Sequence, residues 1–89
     1  MRKESKERLL IVLKEASEDQ NYTLEVREWA KRNHGRLKID MPINGEDTAT
    51  RLSMILKSAS LDYRHDAKFR SWARNSSRYW KGRSGIRGW

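Results

Sequence analysis

Cysteine is absent from these 89 residues. That removes disulfides, thiolate metal sites and a thiol nucleophile together, and it fits a reducing compartment. Proline occurs once, at Pro42, so no stretch of the chain is a proline-rich linker. Long apolar runs are missing too. The longest, Leu9 to Leu13, has five residues, against the roughly 18 that a bilayer span requires. The opening MRKESKERLL mixes acids with bases and lacks the apolar core of a secretory signal. The expected setting is cytoplasmic, nucleoid or nuclear where the partner is DNA, and not secreted.

Catalytic equipment is equally sparse. There is no GxxxxGK[ST] phosphate loop and no acidic cluster suited to magnesium. His34 and His65 are the only histidines, and nothing in the sequence brings them together. Ser71, Ser76, Ser77 and Ser84 have no evident base beside them. The expectation is a protein that is not an enzyme and carries no cofactor or metal.

What the chain does have is positive charge in one place. Its net charge is +8. Residues 1–20 carry five Lys and Arg against five acids, and residues 21–47 again carry five against five. Residues 48–89 carry ten against Asp62 and Asp66 alone. The whole excess therefore lies in the C-terminal half, which favours a polyanionic partner reached by one face or arm. That half also holds Trp72, Trp80 and Trp89, three of the four tryptophans. A merely solubilising tail has no use for them.

Three helices are legible from apolar spacing. The first, about residues 3–17, places Leu9, Val12, Leu13 and Ala16 on one stripe. The second opens at Thr23, a good N-cap, with Glu25 in its first turn and Val26, Trp29 and Ala30 on its stripe. Asn33-His34-Gly35 reads as its stop. Leu37, Ile39 and Met41 then alternate with Lys38 and Asp40, as in a short strand or extended linker, until Pro42 and Asn44-Gly45. The third helix starts at Asp47 or Thr48 and buries Leu52, Ile55, Leu56 and Ala59. Its other side, Thr50, Arg51, Ser53, Met54, Lys57 and Ser58, has no acid.

Beyond Ala59 two patterns fit. In one, Leu61–Tyr63 and Phe69–Ala73 are strand-like, Asn75-Ser76-Ser77 turns, and Arg78–Gly82 returns as a hairpin arm; the aromatic content favours it. In the other, Asp66 caps a fourth helix over about 66–81, with Phe69, Trp72, Ala73, Ser76, Tyr79 and Trp80 on one side. Residues 83–89, RSGIRGW, read as a flexible basic tail.

The stretch TATRLSMILKSASLDYR followed by FRSWARNSSRYWKG resembles the third helix and wing of winged helix-turn-helix domains. It is most similar to the small DNA-binding modules found beside phage and plasmid replication or transcription proteins. The resemblance implies an α+β fold over 1–82, three helices and a C-terminal basic aromatic β-hairpin, with an all-α chain as the alternative. It also implies a role in transcription or replication control, with the third helix in the major groove and the wing on phosphates.

On that mapping Thr48, Thr50, Arg51, Met54, Lys57 and Ser58 face the groove. Arg70, Arg74, Arg78 and Lys81 ride the wing, and Arg64, Lys68, Trp80, Arg83 and Arg87 complete the nucleic-acid contacts. Arg51 either pairs with guanine or binds phosphate or water. Phe69 and Trp72 suit a core, and Trp80 either packs or stacks on a base.

The expected partner is nucleic acid, DNA before RNA. Two alternatives stand beside it. One is an RNA or single-strand binder that stacks Tyr79, Trp80 and Trp89 on unpaired bases. The other is an interaction module or inhibitor that docks its basic face on an acidic protein. A membrane-surface role would need a clean amphipathic helix at 66–81, and no membrane partner is expected.

Overall fold

A computed structural model describes residues 3–84 as four α-helices and no strand among them. The helices are α1 (Lys3–Glu18), α2 (Leu24–Lys38), α3 (Thr48–Ser60) and α4 (Ala67–Ser84). The chain divides into two compact units, Met1–Gly45 and Glu46–Trp89. Helix α1 packs on α2 in the first, and α3 on α4 in the second. Each unit is thus a helical hairpin, where the sequence led us to expect one domain over 1–82. Arg83 and Ser84, assigned to a basic tail, belong to α4. The rest of that tail, with Arg87 and Trp89, lies outside the described residues.

In the first unit α1 buries Leu9, Val12, Leu13 and Ala16, the stripe expected from spacing. Helix α2 begins where Thr23 Oγ1 accepts the Val26 N–H at 3.2 Å, and it buries Trp29, Ala30, Asn33 and Leu37. It does not stop at Gly35. The stripe continues one more turn to Leu37, and burying that leucine favours extension.

The true stop is a Schellman motif. Asp40 takes the left-handed conformation, with φ 62°. Its N–H donates to Leu37 O at 3.0 Å, and the Met41 N–H donates to Arg36 O at 2.8 Å. Asp40 also pairs with Lys6 of α1. The alternation of Leu37, Ile39 and Met41 is therefore a helix end and its exit, not a strand.

Asn33 explains the path of the following loop. Its side chain is fully buried. Nδ2 donates to Trp29 O at 3.0 Å and to Asn44 O at 2.9 Å. Oδ1 accepts the Asn44 N–H at 2.9 Å. The Trp29 indole N–H adds a bond to Asn44 O at 3.1 Å. Gly45 follows with φ +116°, and a Cβ there would stand 3.0 Å from the Trp29 ring. Only glycine combines that backbone angle with that approach.

The second unit overturns the β-hairpin. Asp66 Oδ1 accepts the Phe69 N–H at 2.8 Å, and Asp66 O accepts the Arg70 N–H at 3.0 Å. This N-cap launches an 18-residue helix straight through the supposed turn at Asn75-Ser76-Ser77. No proline interrupts the segment, and Lys81 and Arg83 in its last turn suit the negative end of the dipole. Phe69, Ala73 and Ser77 are buried at i, i+4 and i+8. The fold is therefore all-α, with the fourth helix of the alternative reading, and the α+β assignment with its wing is withdrawn.

Helix α3 buries Leu52, Ile55, Leu56 and Ala59 as expected. It also buries Ser53, placed by the sequence on the polar side; no surface of Ser53 is exposed. The Ser77 hydroxyl donates to Ser53 O at 2.8 Å. Small residues at this crossing, Ser53 against Ser77 with Ala73 one turn away, let the two helices lie close.

Candidate functional site

The α3–α4 unit gathers four cations round one cleft. Lys57, Ser60 and Leu61 from α3 and its exit face Arg74, Ser77, Arg78 and Lys81 from α4, enclosing about 260 Å³. Helical spacing does the gathering. Arg74, Arg78 and Lys81 stand at i, i+4 and i+7, one stripe flanking the buried one. Lys57 falls in the last turn of α3, where a cation suits the helix dipole. No acidic residue lines the cleft.

The hydroxyls of the cleft are already committed. Ser60 Oγ donates to Lys57 O at 2.5 Å and Ser77 Oγ to Ser53 O. They tie the walls to the main chain, and the charge of the cleft comes from the four cations.

The remaining sequence candidates are dispersed. Arg51 lies six residues from Lys57, about 120° round the helix, so α3 does not present the two as one edge. Thr48, Thr50, Arg51 and Met54 are half-buried and Ser58 is exposed, and none of them lines the cleft. Lys68 stands in the first turn of α4 and Arg83 in the last, both exposed and both outside the cleft.

Arg70 is half-buried, its guanidinium 4.3 Å from the centre of the Tyr63 ring, and Tyr63 is 84% exposed. Arg64 is held by Asp62: its Nε donates to both carboxylate oxygens at 3.0 Å and its Nη2 to Oδ2 at 2.6 Å. The Arg64 backbone N–H adds a bond at 3.0 Å. The Arg64 side chain first, and its N–H second, hold the Asp62 carboxyl down at about 2.

The aromatic residues form a second feature of α4. Phe69 is buried, stacked on His65 at 4.0 Å and edge-on to Trp72 at 5.5 Å. Trp72 and Trp80 are half-buried. Tyr79, 54% exposed, meets Trp80 edge-on at 5.2 Å and lies under the Arg83 guanidinium at 4.9 Å.

Spacing along the sequence missed Ser60, Leu61 and Ser77 as cleft residues. The signal was present in the Phe69, Ala73, Ser77 register, which only a helical reading of 67–84 uses. No described helix is long and apolar enough to cross a membrane.

Comparison with known proteins adds no relative: no family model, curated protein or solved structure matches the chain.

Proposed function

We propose that this protein binds nucleic acid without catalysing a reaction, and that the α3–α4 unit captures the phosphates of duplex DNA. The observation that carries the reading is the segregation of charge. All of the net +8 belongs to residues 48–89, and on α4 it condenses into the Arg74, Arg78, Lys81 stripe beside Lys57. Lysines and arginines so arranged neutralise phosphates and release counterions, which supplies most of the sequence-independent affinity for DNA. No acid lines the cleft, and the two acids of this half have other partners: Asp62 is engaged by Arg64 and Asp66 caps α4.

The test is a fluorescence-anisotropy titration of labelled random duplex and single-stranded DNA at several salt concentrations. Tight duplex binding that falls steeply with salt, and is lost in an Arg74→Ala, Arg78→Ala double variant of unchanged helicity, supports the reading. Preference for the single strand with quenching of tryptophan fluorescence moves it toward the exposed Tyr79–Trp80 pair. Absence of binding near physiological salt overturns it and turns attention to an acidic protein partner.

A further inference from the structure

We infer that the cleft between α3 and α4 is a binding site for a compact polyphosphate, the pyrophosphate-type group that occurs free or as part of a nucleotide. Three observations carry this. The cleft is small, about 260 Å³, just below the range of drug-sized pockets, so it takes one compact group. It is walled by four cations from two helices, with no acid among the lining residues. Both of its hydroxyl hydrogens are committed to main-chain oxygens, so the ligand must be recognised by charge and by N–H donors.

Charge density selects the anion. A backbone phosphodiester brings a single negative charge. A phosphomonoester brings about −1.5 to −2, which leaves part of the charge of Lys57, Arg74 and Arg78 alone uncompensated. Two linked phosphates concentrate more charge in the same small space. They also offer several oxygens to the planar forks of Arg74 and Arg78, which favour bidentate contact. Leu61, 67% exposed at the rim, gives an apolar surface for a base where the group belongs to a nucleotide. This site shares Lys57, Arg74, Arg78 and Lys81 with the proposed duplex surface, so pyrophosphate should compete with duplex where both bind. A protein that holds pyrophosphate but ignores DNA overturns the nucleic-acid proposal and leaves this one standing.

Isothermal titration with inorganic pyrophosphate, sulfate at matched ionic strength and a nucleoside diphosphate tests it on the full chain. Saturable binding of one pyrophosphate, with sulfate much weaker, is expected. Lys57→Ala and Arg78→Ala, each checked for unchanged helicity, should weaken it about tenfold or more. A Lys68→Ala, Arg83→Ala control removes two charges outside the cleft and should leave it within about twofold. Tighter binding of the nucleotide identifies the nucleotide as the source of the group, and equal binding identifies free pyrophosphate; both support the site. Non-saturating heats, or equal weakening by the control, overturn it.

Discussion

Asn33 and Asn44 grip one another across the end of α2: the Asn33 amide donates to the Asn44 carbonyl at 2.9 Å and accepts the Asn44 N–H at the same distance. A buried side-chain amide thus meets both main-chain groups of Asn44. Removing it leaves the Asn44 N–H without this acceptor and the Asn44 carbonyl with the Trp29 indole N–H. Asn33→Ala is expected to cost about 1–3 kcal/mol, the usual penalty for a hydrogen-bonding group left unsatisfied. The local readout is hydrogen exchange of the Asn44 N–H, slow in the native protein and fast in the variant. Unchanged protection would show that the grip does not hold the loop.

Gly45 sits against the same tryptophan. Its φ of +116° disfavours any L side chain, and a Cβ would press within 3.0 Å of the Trp29 indole. Gly45→Ala is expected to destabilise the α1–α2 unit by roughly 1–3 kcal/mol. Gly35→Ala is the contrast, since nothing stands within 4 Å of its added Cβ; inside a helix it should stabilise by about 0.5–1 kcal/mol. Urea midpoints of the two variants should move in opposite directions.

These two glycines show where the sequence was legible and where it was not. Gly35 has the chemistry of a helix stop and sits where a stop reads naturally, yet α2 runs through it to bury Leu37. The stop is made by Asp40, whose left-handed backbone has no distinctive sequence mark. The stripes of α1 and α3 were legible because their buried positions are aliphatic. The register of α4 was hidden because Ala73 and Ser77, two of the three buried positions among its described residues, are small. The aromatic residues beside them suggested strands. The basic half of the candidate site was visible as charge. Its division into cleft residues and dispersed ones needed the α4 register, which spacing left open between period two and 3.6.

Asp66 is the residue on which the helical reading of 67–84 turns. Its carboxylate takes the Phe69 N–H at 2.8 Å, one of the donors that a helix start leaves without a partner. Asp66→Ala should cost about 1 kcal/mol, with circular dichroism showing helix lost, whereas Asp66→Ser should retain most of the cap. Equal stability of the alanine variant would mean that packing on α3 alone sets the start of α4.

Asp62 makes the α3–α4 unit sensitive to acid. Its carboxyl is lowered from 3.8 to about 2 by Arg64. A lowered folded pKa means that the charged form stabilises the fold. The contribution is complete above the unfolded value of 3.8 and is lost as the pH falls from there through about 2. Thermal unfolding followed between pH 5 and pH 2 should fall more steeply for the native protein than for Asp62→Asn, which has no carboxyl to protonate. Parallel curves would assign the acid sensitivity to other groups.

The salt dependence of DNA binding counts the phosphates that the α4 stripe reaches. Each phosphate neutralised contributes about −0.9 to the slope of log K against log salt. Arg74 and Arg78 are exposed and one turn apart, so each can meet a separate phosphate. Their joint replacement by alanine should make the slope shallower by nearly 2. Arg64→Ala removes the same kind of charge, but from a guanidinium that Asp62 already holds. It should leave the slope nearly unchanged. A slope that falls equally in both experiments would mean that affinity follows net charge alone, with no preference for the stripe on which the nucleic-acid reading rests.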